Sequence, residues 1–459
     1  MVDPDTSPLI TPARLIAAAS VLTGLILIIA QPAAGATTAG LTVFVITFWA
    51  VNVIPAYLSA LIFMLLAVVL NAAPPEVVFA GFTSAAFWLV FGGLIIGAAI
   101  EHTGLAERIA QGIAGRLRAS YPLLIAGLVV LGIVLAFLMP SSVGRVVLLT
   151  PILMALTESL GFQRGSSGHT GILLAGICGT VLPSYGILTA NVPNVVLAGA
   201  AESVHGIMIG YSEYLLAHFP VLSLLRGAFI VGLVTVLFPD RLPEEHTAEL
   251  SGSRLSGQQR LLLVLLVVAL ALWLTDAVHG IAAAWVAAGT GLLIVLTGIL
   301  PAEKMHTAIN YPVLFFVAGI ISVGEVLSTS PWMSVLAQAA ETVLPMSPGA
   351  ELLNFFTLAG TATVLSIIGT TPTVPALITP VAAELAAATG FSIRAIVLLQ
   401  TVGMGLLIFP HQAPPIVVAL ALSDLRFEQM LRFLLLLAAA TIVFMLPLDF
   451  LWWQLLGWI

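Results

Sequence analysis

Charge is scarce in this 459-residue chain: 8% of residues are Asp, Glu, Lys or Arg, against 60% that are hydrophobic. A soluble fold carries charge over most of its surface, so no sizeable soluble domain fits. Cysteine is scarcer still. Cys178 stands alone, which excludes an intrachain disulfide and a cysteine-based metal site, and leaves the compartment unreadable from thiols. The net charge of -7 reads as charges confined to loops with no clustering of one sign, so a nucleic-acid partner has no support. No paired acid and base and no metal cluster lies at the polar breaks of the chain, which argues against an enzyme.

Long apolar runs recur from Leu15 to Trp458, each able to supply a span of about 20 residues. With a mean hydropathy of +1.16, the chain reads as an all-α polytopic membrane protein. The first run, Leu15 to Ala30, precedes the small residues Ala33, Ala34, Gly35 and Ala36 in the manner of a secretory signal. Asp3 and Asp5 against a lone Arg14 make a poor signal start, so a retained first span and a cytoplasmic N-terminus are expected.

The densest charge, Asp240, Arg241, Glu244, Glu245, His246, Glu249 and Arg254, divides the chain near its middle. The expected organisation is an N-terminal segment with the first span (1–38), a first repeat (39–238), a cytoplasmic linker (239–257) and a second repeat (258–459). Each repeat holds a polar-tipped hairpin, 121–160 or 351–388, and then a broken span, 169–200 or 391–421. Ser141 and Thr370 are 370 - 141 = 229 residues apart, and Pro193 and Pro415 are 415 - 193 = 222 apart. Near an offset of 226, Trp88 to Ile95 overlays Leu314 to Ile321. Apolar letters match by chance, so the repeated order of polar breaks carries the weight.

Lys and Arg accumulate on the cytoplasmic side of membranes. Arg108, Arg116, Arg118, Arg164, Arg241, Arg254, Arg260, Lys304, Arg426 and Arg432 share one side if both polar-tipped pairs are re-entrant, leaving Arg394 outside. That gives about 11 transmembrane helices plus two re-entrant hairpins in inverted repeats, with the C-terminus outside. Ala106 to Arg118, with Ile109, Ile113 and Leu117 on one face, reads as a helix lying on the cytoplasmic surface. Trp452, Trp453 and Trp458 read as an interfacial belt, and Arg226, inside a span, is expected to pair with a loop or a lipid headgroup.

Two polar interruptions stand out: Pro140-Ser141-Ser142-Val143-Gly144-Arg145 and Gly369-Thr370-Thr371-Pro372-Thr373. Irregular backbone at bilayer depth is either shielded by protein or lines a wet cavity, and paired breaks in two halves point to a transporter's solute site. Hydroxyls on Ser141, Ser142, Thr370, Thr371 and Thr373 donate to anionic oxygens beside helix ends, or else satisfy the interrupted backbone.

Phe87 to Gly93, Thr103-Gly104-Leu105-Ala106-Glu107-Arg108-Ile109-Ala110, both hairpin tips and the Pro193-Asn194 turn together resemble the divalent anion/sodium symporter family of the ion transporter superfamily. The likeness covers nearly the whole chain. It implies a homodimeric elevator-type carrier in a bacterial cytoplasmic (inner) membrane. One domain is a scaffold, and the other, holding both hairpins and both broken spans, moves the substrate. Family substrates are dicarboxylates, citrate or sulfate, usually moved with sodium.

The chain departs from the family where chemistry is expected. Family tips carry Ser-Asn-Thr, and this chain has Ser141-Ser142-Val143 and Thr370-Thr371-Pro372. The facing breaks read Asn191-Val192-Pro193-Asn194 and Ala413-Pro414-Pro415-Ile416, so one of the two asparagines remains. Sodium needs several oxygen ligands; backbone carbonyls remain available, but Val143, Pro372 and Ile416 supply no side-chain oxygen.

Arg145 stands four residues beyond Ser141. An arginine at that depth costs about 3 kcal/mol on insertion scales and marks a functional candidate. It reads either as a fixed counter-charge for an anion or as a structural group, paired with Glu101 or Glu158 or snorkelling to the interface. His411 and Gln412 lie in the second break, where the histidine either carries a coupling proton or closes the helix end. The expected substrate contacts are Ser141, Ser142, Arg145, Asn194, Thr370, Thr371, Thr373 and Pro414. The coupling-ion or proton candidates are Ser141, Asn191, Asn194, Thr370, His411 and Gln412, with sodium sites in question.

The expected function is secondary transport of small divalent anions, C4-dicarboxylates foremost, with proton coupling or anion exchange open. Sulfate or citrate transport, an ion antiporter on the same scaffold, and the large membrane subunit of a binding-protein-dependent carrier are the alternatives. An antiporter would show intramembrane Asp or Glu at the breaks, and none is present there.

Overall fold

The computed structural model describes residues 12–30, 35–51, 53–109, 120–242 and 255–459. Most of the linker (243–254, with Arg254) and of the expected surface helix (110–119, with Ile113, Arg116, Leu117 and Arg118) lies outside them, as do Asp3, Asp5, Ala33 and Ala34.

Every regular element among the described residues is helical. A helix satisfies its own N–H and C=O groups, which a hydrocarbon solvent cannot do. Eight helices are long and apolar enough to cross a membrane, or nine if Thr373–Thr389 and Ile393–Met404, bent by 111°, count as one span. Shorter apolar helices, Leu15–Gly24, Ala36–Val51, Ala56–Val69 and Ala283–Leu296, add to these.

The first hairpin consists of Tyr121–Leu138 and Ser142–Ser159, joined by a tight turn at Pro140. Ser120 and Ser141 cap the two arms by accepting from Leu123 and Gly144 amides. Its open end closes where Tyr121 packs edge-on against Phe162, ring centres 6.2 Å apart. Ser167–Val181 packs along both arms. The crossing is so close that a Cβ on Gly132 would lie 2.5 Å from the Gly179 carbonyl, so only glycine fits.

The second hairpin, Glu351–Ile368 returning through Thr373–Thr389, is closed at its base by Asn354. That amide donates to Ser347 O at 2.7 Å and Thr389 O at 3.2 Å, and its oxygen accepts from Ser347 N at 3.1 Å. Ile393–Met404 crosses the outgoing arm at Gly403, where a Cβ would meet Ala359 O at 2.2 Å. The two crossings are repeat-related: 359 - 132 = 227 and 403 - 179 = 224.

A further group of helices flanks the hairpins. Ala85–Thr103 crosses Ala283–Leu296 with Gly92 tight on Ala287, and the next residue, Gly93, leaves room for the tip at Pro140. Side chains at these two glycines would come within 2.4 Å of Ala287 C and 2.9 Å of Pro140 Cβ respectively.

The closing helices of the two halves, Tyr211–Leu237 and Phe427–Leu455, each open into a wider π turn, at Phe219–Leu225 and at Thr441–Met445. The turns start 441 - 219 = 222 residues apart, matching the repeat. Two expectations need correction here. Charges are not confined to loops: Arg145, Arg226 and Asp449 are buried inside helices. Trp453 is no interfacial residue either, being fully buried against His218 and Phe355, because the π turn rotates that face of the helix inward.

Candidate functional site

Each broken span is two half-helices separated by unwound chain. Ser167–Val181 and Val192–His205 flank the first break, 182–191, all of which is buried. Ile393–Met404 and Pro414–Leu422 flank the second. Pro183, Pro193, Pro410 and Pro414 sit where a missing amide proton ends one segment or starts the next.

Unwound carbonyls in a buried break must be satisfied, and the first break does this with asparagines. Asn194 donates to Ser184 O (3.2 Å), Tyr185 O (3.2 Å) and Ile187 O (2.8 Å), while its own Oδ1 has no partner. Asn191 accepts from the Asn194 amide at 3.1 Å and donates to Ser184 Oγ at 3.2 Å.

Arg145 joins the first tip to this break. Its Nε donates to Thr180 Oγ1 (3.1 Å), Nη1 to Ala190 O (2.9 Å) and to Met139 O, and Nη2 to Ser142 Oγ (3.0 Å) and Thr180 O (3.2 Å). All five N–H groups are therefore taken by neutral protein oxygens. No carboxylate is among them. Glu158 instead binds Arg164 at 2.8 Å, and the guanidinium is fully buried, so neither the expected ion pair nor snorkelling describes it. Ser142 also donates to Ala190 O at 3.2 Å, and Ser141 caps its helix at the Gly144 amide, 3.1 Å away.

Converging carbonyls of broken helices are what a sodium ion takes as ligands. At the first break, the carbonyls of Met139, Thr180 and Ala190 converge on the Arg145 guanidinium instead.

The second tip meets the second break in the same way. Thr371 N donates to Gln412 O at 3.0 Å, while Thr373 Oγ1 accepts from Thr370 N at 3.0 Å and donates to Thr370 O at 2.7 Å. The fully buried Gln412 side chain accepts from Ile408 N and Phe409 N, both 2.7 Å away. It donates to Ser366 Oγ at 2.7 Å. His411 is exposed, with Nε2 2.9 Å from Ile367 O and its ring stacked on Phe409. Pro414 is exposed at the start of the next half-helix.

Sequence reasoning missed the residues that hold the two halves together. Tyr185 OH donates to Thr371 Oγ1 at 3.1 Å, and Tyr214 OH bridges Tyr185 O at 3.0 Å and Thr401 Oγ1 at 3.1 Å. Arg226, expected near a loop or lipid, is buried and donates to Gly405 O at 3.0 Å and Leu182 O at 3.5 Å, one in each break. A polar residue inside an apolar run was the available signal, but its direction depended on the π turn just before it.

The arrangement is thus two polar tips facing two breaks, with hydroxyls at both tips, a permanent positive charge at one, and a tyrosine joining them. The sequence pattern of the sodium:sulfate symporter transmembrane region matches residues 12–459. A membrane protein of Cupriavidus necator is 26% identical over 396 residues, 83% of this chain and 77% of the relative. The L-tartrate/succinate antiporter of Escherichia coli K12 is 27% identical over 269 residues, covering 55% of this chain; the match spans 54% of the antiporter's length. In fold, the chain is similar to the Alcanivorax borkumensis YdaH transporter (TM-score 0.53, 16% identity, 87% of this chain and 89% of that one). It is also similar to Neisseria gonorrhoeae MtrF, from a class of antimetabolite efflux pumps (TM-score 0.55, 15% identity, 94% and 97%). With a match running through both tips and both breaks, this chain belongs to the sodium:sulfate symporter family, integral membrane transporters of divalent anions.

Proposed function

We propose that this protein carries C4-dicarboxylates by an elevator motion. In this reading both hairpins and both broken spans move together against the flanking helices, as one half of a homodimer in a bacterial inner membrane. The carrying observation is the junction of two hydroxyl-bearing tips with two breaks around one unpaired guanidinium. Ser141, Ser142, Thr370, Thr371 and Thr373 supply donors for carboxylate oxygens, and Asn194 and Pro414 shape the breaks behind them. The similarity to L-tartrate/succinate antiporters supports the C4 choice.

In the same proposal, Arg145 replaces a coupling cation at the first break. Its N–H groups already bind the carbonyls that sodium would use, and its charge attracts the anion through the field of the site, not by direct contact. Gln412 plays the corresponding part at the second break with a neutral amide. A thermal-shift screen of succinate, malate, citrate and sulfate, each with and without sodium, tests this. Stabilisation by succinate or malate without sodium is expected. Strict sodium dependence would overturn the replaced-cation reading, and a response to sulfate or citrate alone would move the substrate class. Uptake by the lone reconstituted chain separates the carrier from a binding-protein-dependent subunit.

A further inference from the structure

Behind the two breaks lies a second buried charge pair. Arg226 follows the first π turn and Asp449 follows the second, at 449 - 226 = 223 residues, so they are near-equivalent positions of the two repeats. Arg226 is the charged group that acts on Asp449, yet the two do not close a hydrogen bond. Both Asp449 carboxylate oxygens lack a hydrogen-bond partner, as does Arg226 Nη2, and the carboxyl is fully buried beside Leu446, Phe450 and Trp453. A structural ion pair at this depth persists only with close geometry and satisfied oxygens. This one has neither.

The other groups near Asp449 are quickly named. From Tyr211–Leu237 come Arg226, Tyr214 and His218, whose two ring nitrogens are buried without partners. From the first break comes Tyr185, which acts on Arg226. Glu351, on the second hairpin arm, is exposed and accepts from Gln454 at 3.1 Å. Arg394, at the start of Ile393–Met404, is bound to Glu213 at 2.7 Å.

Charge balance gives this pair a task. A divalent anion carried through low dielectric is costly unless the moving body compensates it. The buried charges of the hairpin and broken-span body are Arg145, Arg226 and Asp449, which sum to +1. A proton on Asp449 raises the sum to +2, which cancels a dianion.

We propose that Asp449 is the proton-carrying site of this transporter: it binds one proton in the loaded state, leaving Arg226 to complete the charge that accompanies a dianion. The carboxylate gains H⁺ from one side and returns it to the other, with Arg226 charged throughout. This rests on the divalent-anion reading above. It moves the coupling site away from His411, which is exposed and bound to Ile367 O.

The test uses the full chain in proteoliposomes with radiolabelled succinate and a trapped pH dye, comparing wild type with Asp449→Asn. Wild-type uptake acidifies the lumen, and one proton per turnover makes a one-unit gradient worth about tenfold in accumulation. Asp449→Asn retains succinate/succinate exchange and loses both the acidification and the gradient effect. Wild-type acidification persisting in Asp449→Asn, or uptake by wild type without acidification, overturns the proposal. If wild type does not move succinate, the substrate reading fails and infrared titration of the wild type decides. A buried carboxylic-acid band that titrates and is missing in Asp449→Asn supports the proton site, and no such band refutes it.

Discussion

Tyr185, in the first break, gives its hydroxyl proton to Thr371 in the second hairpin tip over 3.1 Å, both side chains buried. The tip of one repeat is thereby held by the break of the other. The two halves are coupled at the substrate region and not only through their outer surfaces.

Tyr185→Phe removes that donor and little else, so it should cost about 1 kcal/mol. The sharper measurement is a double-mutant cycle with Thr371→Val in thermal unfolding. A coupling energy of about 0.5 kcal/mol or more is expected; strict additivity would show that the bond is not formed in the membrane.

Arg145→Lys keeps the charge but offers three N–H groups to a site with five bonds. At least two acceptors lose their donor, at about 1 to 3 kcal/mol each. We expect a clear loss of thermal stability in detergent with lysine and a larger one with glutamine. A lysine variant as stable as wild type would mean that charge alone, not the five-bond arrangement, matters there.

Gly403→Val tests the helix crossing behind the second break. Its Cβ would fall 2.2 Å from Ala359 O, a backbone atom that cannot rotate away. Overpacking of this kind costs about 1 to 3 kcal/mol or more, so a low yield of folded protein is expected. Gly232→Val, with no atom within 4 Å of its Cβ, is the control and should express normally.

Asn354→Ala opens the base of the second hairpin by removing three hydrogen bonds to Ser347 and Thr389. The buried carbonyls left behind make this worth about 1 to 3 kcal/mol. Because the tip is at the far end of the arm, substrate affinity should hold while stability falls. Equal loss of affinity would mean that the base controls the tip.

Much of this was visible in the chain itself. The membrane class follows from charge scarcity, and the breaks from Pro193-Asn194 and Pro414-Pro415, because a proline and a polar neighbour inside an apolar run have few other uses. Arg145 was conspicuous for the same reason, but its partners were not: backbone carbonyls carry no letter in a sequence. Tyr185 and Gln412 look ordinary until Thr371 and the amides of Ile408 and Phe409 arrive from elsewhere in the chain. Arg226 and Asp449 were hidden by phase, since a helical wheel drawn with uniform winding points them in the wrong direction.

That phase has a consequence for how the protein tolerates change. A π turn holds one residue more than regular winding, so deleting a single residue from 219–225 would turn everything beyond it by about 100°. Arg226 would then swing from the breaks toward lipid with no change in its identity. The orientation of the buried charges is therefore encoded as chain length, and a one-residue deletion in a featureless apolar stretch should be as harmful as replacing the arginine itself.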